Sequence, residues 1–118
     1  DLTSFRLTRE SNEDQLAAKV TEYGKEITLN GRASGVVGAF VAALEEHCGK
    51  DIVLVEYNEH TLNKSDGAGA QAVTYVQLNI DAQRYCGIGR SSDIVEASLL
   101  AILSAVNQPL SVGENVAA

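Results

Sequence analysis

The same order of hydrophobic patterns occurs twice along the chain, and this duplication limits the possible folds more than any other feature. Each half shows alternating apolar residues over three segments, as in strands, and then an apolar stripe with helical spacing. A short glycine-containing segment precedes each stripe, at residues 31–35 and 87–89. The sequence therefore predicts an α+β fold of two βββα units packed around a pseudo-twofold axis, with helices against sheets.

The chain of 118 residues has the size of a single domain. We expect this domain to cover residues 1–110, in halves of about 1–49 and 50–110. Residues 111–118 lack apolar periodicity and are predicted to form a flexible tail. Because the chain begins with Asp1 and enters a strand pattern almost at once, we expect a domain excised from a longer polypeptide.

The first helix is predicted from apolar residues spaced three and four apart. Ser34 precedes this stripe and is expected to be its N-cap, since a hydroxyl can accept a bond from a free helix N–H. Gly49 is expected to end the helix in the left-handed conformation, with His47 near its negative end. The stripe consists of Val37, Phe40, Val41, Leu44 and Cys48.

The second helix has a fuller start signal. Asp93 is the expected N-cap, and Glu96 three residues later completes the pattern of a capping box. Pro109 is expected to prevent the helix from continuing. Its stripe consists of Val95, Leu99, Ile102 and Val106.

Charge and cysteine usage restrict the partners. The formal net charge is −7, from 16 acidic and 9 basic residues, which argues against nucleic acid as a partner because phosphate recognition needs clustered Lys and Arg. No apolar run reaches the roughly 18 residues of a membrane span, so we expect no membrane partner. Cys48 and Cys86 show no paired spacing and are predicted to be small buried hydrophobes in a cytoplasmic protein.

The two helix starts are the candidate binding features. A helix N-terminus carries free N–H groups and partial positive charge, so it can receive a carboxylate. Glycines nearby let a ligand approach the backbone, because they have no Cβ. Two such starts facing each other would make a pocket suited to an aliphatic amino acid. The alternative is that the glycines only make tight turns.

Three segments carry a resemblance to a known family. They are Y-N-E-H-T-L at residues 57–62, A-Q-A-V-T-Y at 70–75 and C-G-I-G at 86–89, followed by Asp93-Ile94 and the second helix. In this order they resemble the C-terminal regulatory domain of 2-isopropylmalate synthase. Citramalate synthases carry a similar domain, which senses isoleucine.

The resemblance implies a homodimer of βββα domains in which leucine binds near the helix starts. Bound leucine inhibits a catalytic barrel upstream in the full enzyme, as feedback control of leucine biosynthesis. The barrel carries the family's divalent metal and catalytic residues, so the resemblance implies that this fragment has no catalytic residues or cofactor of its own.

The resemblance also implies a set of effector-binding residues. The family's first helix start is usually close to G-x-G-N-G-P, and here Ala33, Ser34 and Val36 depart from it. These departures leave open a dimerisation domain that has lost its sensing function. The implied effector-binding residues are Ser34, Gly35, Val37, Gly38, Leu54, Tyr57, His60, Ala70 and Asp93.

Other polar residues have simpler interpretations. Glu59 and His60 could form an acid/base pair in a small enzyme, but adjacency does not make a cleft. A zinc set of His47, Cys48, His60 and Cys86 lacks the short paired spacing of such sites. Glu45 and Glu46 are expected on a solvated helix face.

Overall fold

The computed structural model describes residues 2–22, 24–62 and 71–109. Over these ranges the order of elements is βββα followed by βββα, as the sequence predicts. The elements are β1 (Leu2–Glu10), β2 (Glu13–Glu22), β3 (Lys25–Ala33), α1 (Val36–Cys48), β4 (Ile52–Leu62), β5 (Gln71–Ile80), β6 (Gln83–Ser91) and α2 (Ile94–Val106).

The strands form two antiparallel sheets of three, in the orders β1-β2-β3 and β4-β5-β6. One constant sequence offset relates β2 to β5, β3 to β6 and α1 to α2, and it places the two helix starts, Val36 and Ile94, at equivalent positions. The predicted α+β fold of two βββα units is therefore confirmed. The first strand of each half carries a register irregularity, between Leu2 and Ser4 in β1 and between Leu54 and Glu56 in β4.

Two tight turns use residues with positive φ that are not glycine. Ser11 and Asn12 connect β1 to β2 at φ 50° and 66°, and Asp81 and Ala82 connect β5 to β6 at φ 50° and 70°. Two successive residues with positive φ are typical of the type I′ hairpin, whose twist matches that of the flanking strands. Asn and Asp tolerate this conformation, whereas for Ala82 it is sterically unfavourable.

Each helix packs on its own sheet, α1 on β3 and β2 and α2 on β6 and β5. The buried apolar residues of both halves nevertheless form one cluster, because α1 also contacts β4 and α2. Aliphatic side chains and one phenylalanine make up this core. Its largest fully buried members include Leu16, Phe40, Leu44, Leu78, Leu99 and Ile102.

Three strand glycines allow the helices to lie unusually close to the sheets. A Cβ at Gly31 would lie 1.8 Å from the Ala39 carbonyl oxygen, and a Cβ at Gly89 would lie 2.1 Å from that of Ala97. Gly87 is confined in the same way by α2. These glycines are therefore required by strand-to-helix packing and not by tight turns before the helices.

Polar contacts fix the junction between the halves. The Glu45 carboxylate accepts a hydrogen bond from the Ile52 N–H at 3.0 Å, and Lys50 forms an ion pair with Asp81 at 3.1 Å. Glu45 is half-buried, so the prediction of a solvated face is wrong for it, while Glu46 is exposed. The Glu45 bond ties the last turn of α1 to the first residue of β4.

Gly49 ends α1 at φ 66°, with its N–H donating to the Glu45 carbonyl, and His47 lies in the last turn. Both were predicted. Cys48 is half-buried and Cys86 is exposed, so the prediction of a buried residue is wrong for Cys86. Neither α1 nor α2, at 13 residues each, has the length needed to cross a bilayer.

Candidate functional site

The start of α1 is an open helix N-terminus. Its N-cap is Gly35, in an extended conformation with φ −154° and ψ 161°, and no side chain caps the helix. The prediction that Ser34 is the cap is therefore wrong by one residue. The first intrahelical bond runs from the Ala39 N–H to the Gly35 carbonyl at 2.9 Å. The preceding N–H groups of the first turn have no partner within the helix, and no acidic residue lies in that turn.

The space around this start is also open. A Cβ at Gly35 would meet nothing within 4 Å, and one at Gly38 would meet only the Ala33 Cβ, at 3.2 Å. Neither glycine has positive φ. In contrast to Gly31 and Gly89, the fold itself does not require glycine at Gly35, and no side chain at this position covers the start of the helix.

The start of α2 is closed by its own side chains. The Asp93 carboxylate accepts from the Val95 N–H at 2.9 Å, which confirms Asp93 as the N-cap. The Ser91 hydroxyl accepts from the Asp93 N–H at 3.1 Å and donates to the Glu96 carboxylate at 2.7 Å. The predicted capping box is therefore wrong in detail. The Glu96 carboxylate does not accept from the Asp93 N–H directly, because the Ser91 hydroxyl accepts from that N–H and donates to Glu96. Two carboxylates at this start disfavour a further anion.

Tyr57 links β4 to α2 through a polar network. Its hydroxyl bonds the Glu59 carboxylate and lies 2.6 Å from the Ser98 hydroxyl. Ser98 is buried, donates to the Ile94 carbonyl at 3.0 Å and lies 3.5 Å from the Thr74 hydroxyl. Burial, together with the bond to Glu59 and its charge, raises the pKa of Tyr57 above its ordinary value. Tyr57 is thus held as a neutral hydroxyl beside the first turn of α2.

The predicted site residues on β4 do not share one face. Tyr57 reaches α2, whereas His60, three residues later, lies on the opposite face of the strand, where its ring meets Tyr75 edge to face at a centroid distance of 5.8 Å. Leu54 lies opposite Leu78, on the helix side, and is partly exposed. Within one chain, a single small ligand therefore cannot contact both Tyr57 and His60 directly.

The remaining predicted residues lie near the two helix starts. Ser34 is exposed between β3 and α1, and Val37 is half-buried in the first turn of α1. Asp93 is exposed at α2, where it serves as the cap. Ala70 lies outside the described residues. The structure thus places Ser34, Gly35, Val37 and Gly38 together on one segment.

Three surface cavities on the described residues lie elsewhere. The largest, about 550 Å³, is lined by residues of β1, β2 and β3 together with Ala42 and Glu46 of α1. A second, of about 350 Å³, lies between β3 and the end of α1, and a third, of about 220 Å³, lies on the β4-β5-β6 sheet. None of the three is lined by a predicted effector-binding residue. Among the described residues, no three His, Cys, Asp or Glu side chains are grouped so as to hold a metal ion.

The structure shows a duplicated βββα fold in which one helix start is open and the other is capped. Comparison of the sequence with known proteins shows the family to which this fold belongs. The chain belongs to the family described as the LeuA allosteric (dimerisation) domain, whose profile matches residues 1–110. Relatives of this chain are named 2-isopropylmalate synthase. That of Corynebacterium glutamicum is 37% identical over 102 residues, which cover 86% of this chain and 16% of the relative.

Two further relatives carry the same name. The protein of Mesorhizobium japonicum is 34% identical over 93 residues, and that of Brucella suis is 36% identical over 93 residues. Each match covers 79% of this chain and 16% of the relative. The chain therefore spans only about a sixth of the length of the relatives it matches.

Sequence reasoning missed the polar residues that organise the start of α2. Ser98 sits in the middle of an apolar stripe, and a serine there is consistent with a bond back to a carbonyl four residues earlier. Its bond to Tyr57 joins residues far apart in sequence. Ser91 lies two residues before the N-cap Asp93, and this position was the signal in the sequence for its role at the helix start.

Proposed function

We propose that this chain is the leucine-sensing domain of a 2-isopropylmalate synthase, and that the leucine carboxylate binds at the start of α1. One observation carries the proposal: Gly35 and Asp93 are equivalent N-caps, and only Asp93 supplies a side-chain acceptor. An uncapped start with an open surface retains the hydrogen-bond donors that a carboxylate needs. Family membership supplies the allosteric context.

In this proposal, the first-turn N–H groups of α1 hold the carboxylate, and Gly35 and Gly38 leave room for it. Val37 and Leu54 offer aliphatic surface for the side chain of the ligand. Tyr57, fixed by Ser98 and Glu59, gives a polar boundary.

The regulatory step follows from linkage. If leucine binds one arrangement of two paired domains better than another, it shifts the population toward that arrangement by its difference in affinity. In the full enzyme this shift would restrain the catalytic barrel, which also holds the metal and the catalytic residues. The fragment itself binds and does not catalyse. The positions of Glu59 and His60 argue against an acid/base pair in a small enzyme, because their side chains project from opposite faces of β4.

Two other functions differ from this one in a measurable way. A dimerisation domain without sensing is favoured by the departures at Ala33, Ser34 and Val36, since the Ala33 Cβ borders the space at Gly38. An isoleucine sensor of the citramalate synthase type would reverse the order of ligand preference.

Isothermal titration calorimetry of the 118-residue chain with leucine, isoleucine and valine distinguishes these functions. We expect leucine to bind more tightly than the other two. Tighter binding of isoleucine would indicate the citramalate synthase type. If none of the three binds to the wild type but Ala33→Gly gains leucine binding, the domain is one that has lost sensing.

A further inference from the structure

The largest cavity on the described residues, about 550 Å³, lies on the outer face of the β1-β2-β3 sheet. The outer face of a sheet is the face turned away from its helix. Leu16 and Ala18 are buried in the core, so Ala17 between them points outward. Residues paired directly across strands share a face, and two complete rows of paired residues line the cavity. The rows are Arg6-Ala17-Asn30 and Thr8-Gln15-Arg32.

A small residue keeps the centre of this cavity open. Ala17 lies in the middle strand of the sheet, and its equivalent in the second half is Tyr75, which is 46% exposed. A tyrosine ring at Ala17 would occupy the space between the two rows. The fold is the same in both halves and accepts a large side chain at this position, so the open cavity is a property of the sequence and is not imposed by the fold.

Two arginines in the cavity lack partners. Among the residues that the structure describes, no side chain forms a hydrogen bond or an ion pair with Arg6 or Arg32, and both residues are exposed. By contrast, Arg9 on the other face of β1 lies 3.9 Å from the Asp14 carboxylate. Acidic residues outnumber basic ones by 16 to 9, so carboxylates are plentiful in this chain. Two guanidinium groups without one are therefore available to bind an anion from solution.

The other groups of the cavity leave this positive charge largely intact. Glu46 of α1 is the one carboxylate in the wall, which reaches α1 because β3 is an edge strand. Glu10 lies beyond the rows and accepts from the Gln15 amide at 3.4 Å, and Glu26 pairs with Lys19 at 4.0 Å. The wall thus combines two guanidinium groups and one carboxylate with the neutral hydrogen-bonding groups of the two rows.

The spacing of the arginines indicates the kind of ligand. Strands lie about 4.8 Å apart and alternate residues about 7 Å apart, so the Cα atoms of Arg6 and Arg32 are separated by about 12 Å. Each planar guanidinium can bind one carboxylate or phosphate group through two hydrogen bonds. We propose that the cavity binds a small anion with two charged groups, either carboxylate or phosphate, with one group at Arg6 and the other at Arg32. The cavity volume lies in the range of small-molecule sites.

This site goes beyond the proposed function, because it shares no residue with the start of α1 and does not depend on leucine binding there. Isothermal titration calorimetry of the 118-residue chain at low ionic strength tests it, with succinate and pyrophosphate as probes. We expect at least one of them to bind at millimolar concentration. Binding of succinate alone identifies a dicarboxylate site, and binding of pyrophosphate alone identifies a phosphate site. No heat with either probe overturns the proposal.

Butyrate is the matched control ligand, since it has the chain length of succinate but one carboxylate. If succinate binds, butyrate should bind at least about 10-fold more weakly, because one charge-assisted contact is lost. Equal affinities for the two would show that the arginines do not act as a pair and would overturn the proposal for dicarboxylates.

Variants locate the binding. Arg6→Gln and Arg32→Gln should each weaken the probe that binds by about 10-fold or more, and Ala17→Tyr should abolish its binding by filling the cavity. Arg90→Gln removes the equivalent of Arg32 from the second half and should leave the affinity unchanged. Circular dichroism checks that all four variants are folded.

Gly35→Asp excludes the other candidate anion site, the start of α1, and should leave the affinity for the probe unchanged. Probe binding that is lost in Gly35→Asp, or that is unaffected by the Arg6, Arg32 and Ala17 variants, overturns the proposal. Arg6→Gln should bind leucine as the wild type does, so failure of this site and failure of the leucine site are seen separately.

Discussion

Gly35 and Asp93 occupy the same position in the two halves, immediately before a helix, and only Asp93 caps its helix with a side chain. The duplication thus produced two starts with opposite electrostatic character. At α1 no side chain caps the helix and a Cβ at Gly35 would meet nothing within 4 Å, while at α2 the Val95 N–H donates to the Asp93 carboxylate. The start of α2 therefore serves as an internal control when ligand binding at the start of α1 is measured.

Gly35→Asp should convert the first start into a copy of the second. The extended backbone at Gly35 accepts aspartate, and its Cβ would meet nothing within 4 Å. We expect the free energy of unfolding to rise by about 0.5–1 kcal/mol, because the new carboxylate caps the helix and complements its dipole. Leucine binding should be lost in the same variant, since the carboxylate occupies the donors.

Urea denaturation and calorimetry on one preparation of Gly35→Asp measure both effects. Gly35→Ala is the matched control, since it adds a Cβ without an acceptor. A Gly35→Asp variant that is more stable and still binds leucine with unchanged affinity would show that the start of α1 is not the carboxylate site.

Gly89→Ala should destabilise the fold, because the added Cβ would lie 2.1 Å from the Ala97 carbonyl oxygen and α2 would have to move. We expect a loss of about 2 kcal/mol or more, as in other overpacked cores. Thermal unfolding by circular dichroism measures it, with Gly35→Ala again as the control, for which we expect less than about 1 kcal/mol. Equal losses in the two variants would contradict the assigned packing role.

Ala82→Gly should stabilise the protein. Ala82 has φ 70°, a conformation that costs an alanine roughly 1–2 kcal/mol, and part of the relief is offset by the greater freedom of glycine in the unfolded chain. We expect a net gain of about 0.5–1 kcal/mol by urea denaturation. Asn12→Gly, at φ 66°, should gain less, because asparagine tolerates this conformation. A loss of stability in Ala82→Gly would be inconsistent with strain at the turn.

Tyr57 should make stability fall at alkaline pH. Burial and the bond to Glu59 raise its pKa in the folded state, so the folded chain retains this proton at pH values where the unfolded chain releases it. The contribution of Tyr57 to the free energy of unfolding is therefore complete below about pH 10, the pKa of an unperturbed tyrosine. It declines as the pH rises above this value. Urea denaturation across this range should show a steeper decline for the wild type than for Tyr57→Phe. Identical slopes would mean that Tyr57 is not coupled to folding.

Much of the fold was predictable because local patterns and tertiary structure agree. Alternation along β2 and the stripes of both helices gave the elements and their order, and Gly49 and Asp93 gave two helix boundaries. The N-cap of α1 was misplaced by one residue. Ser34 has the right chemistry, but the chain enters the helix only after Gly35, and a preference for a residue type does not fix the residue at which the backbone turns.

The arrangement of the site was less predictable, for two physical reasons. The register irregularity at Val55 places Leu54 and Tyr57, three residues apart, on the same face of β4, which alternation alone could not show. The roles of Gly31, Gly87 and Gly89 depend on the distance between helix and strand, which one sequence does not contain. The exposure of Cys86 likewise follows from its place on the outer face of a sheet.

Backbone amide chemical shifts during a leucine titration test the central claim most directly, because they report on the two helix starts separately in one sample. The account predicts saturable shifts at Val36, Val37 and Gly38, at the start of α1, and much smaller shifts at the equivalent Ile94, Val95 and Glu96. Shifts confined to the start of α2, or no saturable shift at either start at millimolar leucine, would contradict it.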